Sequence, residues 1–130
     1  MNLDELPISF GFQSHPISED LIYLETTMSL AFDGRCLGFY LEDLGRERYR
    51  LSDNAETLFM ALSQGYQPAS KDHKEMQTLV EKQQLLLSEQ GEIYQVTAAG
   101  ELSFYLARML ETQFALSHYC LQKMPWKLEY

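Results

Sequence analysis

The chain reads as an α+β fold: an antiparallel β-meander of three strands, then two helices, a short strand and a long C-terminal helix. Three observations predict it. Residues 21 to 41 alternate apolar and polar positions on either side of Asp33-Gly34, a pair suited to the positive φ angles of a two-residue hairpin turn. From residue 53 onward, apolar positions recur mostly at helical spacing. Finally, Tyr49-Arg50-Leu51-Ser52-Asp53-Asn54-Ala55-Glu56 recurs as Tyr94-Gln95-Val96-Thr97-Ala98-Ala99-Gly100-Glu101, with Phe59 answered by Phe104. In each copy a β-prone run ends on a hydroxyl residue and passes into an apolar-periodic stretch with Glu in its first turn, the usual way a strand hands over to a helix.

Each element follows in order. Residues 1 to 20 contain Pro7, Gly11 and Pro16 and read as a loosely structured lead-in. With a two-residue turn at Asp33-Gly34, Leu30 faces Leu37 and Met28 faces Phe39. One face then collects Met28, Leu30, Leu37, Phe39 and Leu41, and the other Thr27, Ser29, Cys36 and Tyr40. Residues 48 to 51 add the third strand. Asp53 and Glu56 stand at capping-box spacing, Leu58, Phe59 and Leu62 form an apolar stripe, and Gly65 stops the first helix. Ser70 caps a second helix of about five turns, whose inward face is Met76, Leu79, Val80, Gln83, Leu86 and Leu87 and whose end lies near Gly91. A short strand over 92 to 96 precedes the last helix, 98 to 123. The apolar residues of that helix cover more than half its circumference, leaving Arg108, Glu111, Thr112, His118 and Gln122 outside. It is either the central helix of the domain or partly a homodimer interface. Pro125 ends it, and residues 125 to 130 form an aromatic tail.

Composition narrows the function classes. At 130 residues and 45% hydrophobic content the chain fits one globular domain. No run approaches the roughly 18 apolar residues of a membrane span, and the start is acidic where a signal peptide is basic, so the expected setting is the cytoplasm without membrane contact. Cys36 and Cys120 show no metal or redox spacing and read as reduced, buried thiols. The formal charge is -9, and residues 1 to 34 hold Asp4, Glu5, Glu19, Asp20, Glu25 and Asp33 without any Lys or Arg. Direct nucleic-acid binding is disfavoured, because it depends on cationic neutralisation of phosphates. The acidic flank suits a basic protein, including one that itself handles nucleic acid.

Catalytic and metal-binding constellations are missing from the sequence. His15, His73 and His118 stand apart, with no HxxxH, HExxH, GxSxG or Gly-rich phosphate loop, so no catalytic residue, metal ligand or cofactor is assigned. The least implausible nucleus for a site assembled in three dimensions is Asp53, Glu56 or Asp33 near His73. The recurring segment reads as two helix caps rather than a duplicated site, since each copy carries a carboxylate that would repel an anion.

At these residues the chain resembles a known family. Leu24-Glu25-Thr26-Thr27-Met28, Asp33-Gly34-Arg35, Phe39-Tyr40-Leu41 and Leu51-Ser52-Asp53-Asn54-Ala55-Glu56-Thr57-Leu58 look like the prophage-associated domain of unknown function 1828 family, over about residues 15 to 110. Met28 stands where that family often has Pro, and Ala55 where it often has Gly. The resemblance implies a setting in phage or mobile-element biology and carries no activity with it.

The expected function is therefore a non-enzymatic protein-binding module, in its sharpest form an acidic inhibitor of a nucleic-acid-handling protein, with Asp4, Glu5, Glu19, Asp20 and Glu25 as contact charges. Two alternatives stand beside it. A winged-helix-like regulator would need Lys71, Lys74 and Lys82 to meet phosphate, and a small-ligand protein or enzyme would need a deep pocket lined by a carboxylate and a histidine.

Overall fold

A six-stranded, wholly antiparallel sheet organises the chain, in the order β1-β2-β3-β4-β6-β5. The computed structural model describes residues 12–29 and 36–124. Its elements are β1 (Gln13–Pro16), β2 (Leu21–Ser29), β3 (Cys36–Gly45), β4 (Arg48–Ser52), α1 (Glu56–Ser63), α2 (Asp72–Lys82), β5 (Leu86–Leu87), β6 (Ile93–Ala98) and α3 (Leu102–Gln122), the last preceded by a 3-10 turn over Ala99–Glu101. The α+β class, with strands first and a long helix last, is as the sequence pattern predicts. Asp4, Glu5, the Asp33-Gly34 turn and the aromatic tail lie outside the described residues.

The core lies between one face of the sheet and the helices. Ile22 and Leu24 of β2, Leu37, Phe39 and Leu41 of β3, Leu51 of β4 and Ile93 of β6 point into it, against Leu106, Met109 and Leu116 of α3. Alternation sends Tyr23, Glu25, Tyr40, Glu42, Arg50 and Tyr94 to the opposite face. No helix among the described residues is long and apolar enough to cross a membrane.

Several expectations need correction. The hairpin register differs: Phe39 pairs with Leu24 rather than Met28, with a bulge between Glu25 and Ser29. A slip of an even number of residues leaves every side chain on its face, so apolar alternation is blind to it. The described part of the lead-in supplies the edge strand β1, and β3 runs on to Gly45 before a tight turn at Arg46 and Glu47, both at positive φ. The second helix is shorter than expected. It ends at Lys82, Gln84 takes φ 65, and Leu86–Leu87 pairs with β6 instead of extending the helix. A run such as Leu85-Leu86-Leu87 is equally apolar as helix or strand, and pairing decided it. Its start is held by the Asp72 carboxylate, which accepts from the Ala69 N–H at 2.9 Å, rather than by Ser70.

In α1 the buried positions are Thr57 and Ala61; of the expected stripe Leu58 packs against the core, whereas Phe59 and Leu62 are 65% and 43% exposed. In α3, Thr112 is buried and Phe114 is 37% exposed, the reverse of expectation. Gln113 explains the rotation. Its amide is drawn inward, where Nε2 donates to Gly38 O at 2.9 Å and to Thr57 Oγ1 at 3.2 Å. α1 and α2 flank α3 and β3, β4 and β6 lie beneath it, while Phe104 and Phe114 of its apolar surface stay 42% and 37% exposed. The strand expected over 92 to 96, which the winged-helix reading uses, is β6, paired on one side with β4 and on the other with β5.

The recurring segment has a structural meaning beyond capping. Its two copies are β4 and β6 with their following turns, and they pair with one another: Tyr49 with Thr97, Arg50 with Val96, Leu51 with Gln95 and Ser52 with Tyr94. Each tyrosine thus faces the hydroxyl residue of the other copy. Only the first copy caps its helix through a side chain, and it does so at one remove. Asp53 accepts from the N–H of Ala55 at 2.9 Å and of Thr57 at 3.3 Å, while its own N–H goes to Ile93 O at 3.0 Å rather than to Glu56. In the second copy neither Thr97 nor Glu101 caps; Thr97 Oγ1 donates to Ala98 O, and the 3-10 turn intervenes.

Ala55 carries strain that the sequence hints at. It sits at φ 61 and ψ 12, directly after Asn54 at φ 54. A Cβ in the left-handed region costs roughly 1–2 kcal/mol; glycine, having none, escapes that cost, and the greater flexibility of its unfolded chain offsets part of the gain. Ala55→Gly is therefore expected to stabilise the fold by about 0.5–1 kcal/mol, read from urea midpoints at unchanged m. A loss of stability would mean that the turn relaxes differently.

Candidate functional site

The other face of the sheet, helix-free among the described residues, carries a continuous row of side chains. Register places His15 beside Tyr23, Tyr23 beside Tyr40, Tyr40 beside Ser52, Ser52 beside Tyr94 and Tyr94 beside Leu86, one residue from each of the six strands. Strand alternation puts them there. The aromatic members touch: His15 and Tyr23 centroids are 6.4 Å apart, and Tyr23 and Tyr40 are 4.9 Å apart and tilted by 60°. Gly38 makes room for this packing, because a Cβ there would come within 2.4 Å of the Tyr23 hydroxyl.

Toward β4 the row opens into a concavity of about 400 Å³ lined by Ile17, Leu21, Tyr40, Arg50, Ser52, Asn54 and Glu92. Its polar end is tightly wired. Arg50 Nη2 lies 3.0 Å from Glu92 Oε2, and its guanidinium stands 5.0 Å over the Tyr94 ring. Ser52, largely buried, donates to Glu92 and accepts from the Asn54 N–H at 2.9 Å. Tyr40 is held by Glu56 at the start of α1. Its hydroxyl is pushed above the ordinary phenol value first by burial, then by the Glu56 charge and hydrogen bond, so it stays protonated as a donor. The opposite end is apolar, with Ile17 55% exposed.

Of the expected contact charges within the described residues, Glu19 and Asp20 are exposed in the turn between β1 and β2, next to Ile17 and Leu21 of the concavity. The Asp20 carbonyl accepts from Asp43 N–H at 2.7 Å, which fixes this turn against β3. Glu25 stands on the helix-free face, 3.1 Å from His15 Nε2. Glu25 lies opposite Gln13, at the other end of the β1–β2 ladder from that turn, and Glu42 stands on the same face as Glu25, half-buried between Leu21 and Arg50. Sequence reasoning weighed Ser52 as part of a polar site at the helix starts and preferred a capping role for it, and did not single out Tyr23, Tyr40, Arg50, Tyr94 or Glu92 as site residues. The readable signal was their parity, since Tyr23, Tyr40 and Tyr94 all fall opposite core positions.

Of the nucleus suggested around His73, Asp33 lies outside the described residues; His73 Nε2 approaches Glu89 at 3.9 Å, and Asp53 is fully buried, accepting from the Ile93 N–H at 2.8 Å as well as from the start of α1. The concavity is lined by a carboxylate and an arginine, without a histidine. A second polar cluster, in which Asp72 accepts from Tyr66 at 2.8 Å and Tyr119 at 3.3 Å beside Lys123 at 3.7 Å, locks α2 to the end of α3. Beside it Cys120 is buried and free, its thiol pushed up to about 12 by burial and by the Asp72 charge, which leaves it unreactive. Among the described residues no three His, Cys, Asp or Glu side chains converge as metal ligands. Comparisons with protein-family models, with curated proteins and with solved structures return no match to this chain.

Proposed function

We propose that the chain is a protein-binding module whose contact surface is the helix-free face of its sheet together with the acidic β1–β2 turn, and that its partner is a basic protein. One observation carries this reading: Glu25 and Glu42 stand on a face that also displays a row of aromatic side chains, the exposed Glu19 and Asp20 lie in the β1–β2 turn next to Ile17 and Leu21, and Arg50 on that face is paired with Glu92. Tyrosines give a contact surface area at small entropic cost, and like-signed carboxylates around them steer an oppositely charged protein. A nucleic-acid-handling protein has such a basic surface, so occupying it with carboxylates would inhibit it. Glu19→Lys with Asp20→Lys is expected to weaken binding about tenfold at low salt and little at high salt. The check is capture from a lysate of the encoding cell on immobilised wild-type and doubly substituted chains, eluted by salt. An affinity flat across salt, or equal retention by both chains, contradicts the proposal.

The resemblance to the domain of unknown function 1828 family belongs to the same proposal and places the partner in the contest between phage and host. The left-handed backbone at Ala55 supports it, because the family often carries Gly there.

A further inference from the structure

The outer edge of β6 is covered by one of its own side chains. β5 pairs only with Ile93 and Tyr94, so among the described residues no strand lies alongside residues 95 to 98 on that side, while β4 pairs with Tyr94 through Ala98 on the other. Main-chain groups of successive residues in an antiparallel strand point to alternate sides, and Ile93, whose N–H and carbonyl both meet Asp53, sets the phase. Val96 and Ala98 therefore turn theirs to the open edge. Gln95 stands in for the missing neighbour there: its Oε1 accepts from the Val96 N–H at 2.9 Å, and its Nε2 donates to the Gln84 carbonyl at 3.0 Å, as the peptide group of a longer β5 would. Its place in the strand is unusual. Ile93 and Thr97 are buried, and Gln95 lies between them on the core-facing side, opposite the buried Leu51, where an aliphatic residue would pack.

We infer that Gln95 is an edge guard: its amide occupies the strand-pairing positions of β6 and keeps a second copy of this chain from adding there. A second copy fits because the edge is self-complementary. With β6 of each copy antiparallel about Thr97, Val96 of one lies opposite Ala98 of the other, and these are the residues whose main-chain groups face outward. Pairing centred on Val96 would instead drive Ala98 into the place β5 takes beside Tyr94. Thr97 does not close the edge by itself, since its Oγ1 donates to the Ala98 carbonyl at 3.1 Å and leaves that oxygen another lone pair. An edge neither covered nor charged is a template for another chain. The guard lies across the sheet from the acidic β1–β2 turn and is independent of the basic-partner reading.

Sedimentation velocity over a concentration series, comparing wild type with Gln95→Val and Gln95→Ala, is the test. Valine suits both the strand and the core-facing position, and alanine removes the amide without adding strand propensity. Gln95→Val is expected to dimerise at least about tenfold more tightly than wild type, and Gln95→Ala to move in the same direction. Amide exchange at Val96 and Ala98 should slow as the dimer forms. A natively folded valine variant that associates no more than wild type overturns the inference, and so does a dimer in which exchange at Val96 and Ala98 is unchanged. If the valine variant does not fold, the alanine variant decides by the same two readings.

Discussion

Asp53→Ala is expected to lower the unfolding free energy by about 4 kcal/mol. The Asp53 side chain accepts from the N–H groups of Ala55 at 2.9 Å, Thr57 at 3.3 Å and Ile93 at 2.8 Å, and so ties the end of β4, the start of α1 and the start of β6 into one junction. Alanine would strand those donors in a fully buried site. Asp53→Asn keeps one oxygen for Ala55 and Ile93 but turns an NH₂ toward the Thr57 N–H, and should cost about 2 kcal/mol. Equilibrium urea unfolding of the three proteins gives the order directly, and equal stability of wild type and the alanine variant would contradict it.

The same residue sets a pH dependence. Burial pushes the Asp53 carboxyl above its ordinary value of 3.8, against hydrogen bonds from Ile93, Thr57 and Ala55 that favour the anion. A carboxyl that holds its proton more tightly when folded contributes stability fully present below the ordinary value and lost as pH rises through the raised one. Asp72 acts in the opposite sense. Its burial alone would raise it, but Ala69, Tyr66, Lys123 and Tyr119 together hold it below the ordinary value. Its contribution is present above that value and lost as pH falls through the lowered one. The stability of Asp53→Asn should therefore rise with pH more steeply than that of wild type between the ordinary carboxylate value and the raised one.

Gly38→Ala is expected to cost about 3 kcal/mol. The added Cβ would lie 2.4 Å from the Tyr23 hydroxyl and 2.7 Å from the Leu24 carbonyl oxygen. The first neighbour can swing away, though only by leaving its contact with Tyr40 at 4.9 Å, and the second is backbone in the paired strand. Adding Tyr23→Ala should relieve the first clash and not the second, giving a favourable coupling of about 1 kcal/mol in the double-mutant cycle. Strict additivity would show that the tyrosine row does not constrain the strand.

The sequence conveyed the fold class because strand alternation and helical spacing are local properties. Positions such as Leu24, Phe39, Leu51, Val80 and Leu106 are buried on the faces their spacing indicates. The hairpin register was not legible, since Phe39 opposite Leu24 and Phe39 opposite Met28 satisfy the same alternation. Gln113 was also hidden: a glutamine in an apolar helix reads as a surface residue until Gly38 and Thr57 arrive as partners. Of the candidate site, the acidic turn at Glu19 and Asp20 was readable from composition. The concavity was not, because Tyr40, Ser52 and Glu92 come from separate segments that meet only when β4 pairs with β3 and β6.

The helix-free face as the contact surface for a basic protein is tested most directly by amide hydrogen exchange on the chain alone and bound to the protein it retains. Slowed exchange over residues 13 to 25 and 38 to 52, with α1 and α2 unchanged, is the predicted result. Protection confined to α1 and α2, with the tyrosine row and the acidic turn unaffected, would contradict it.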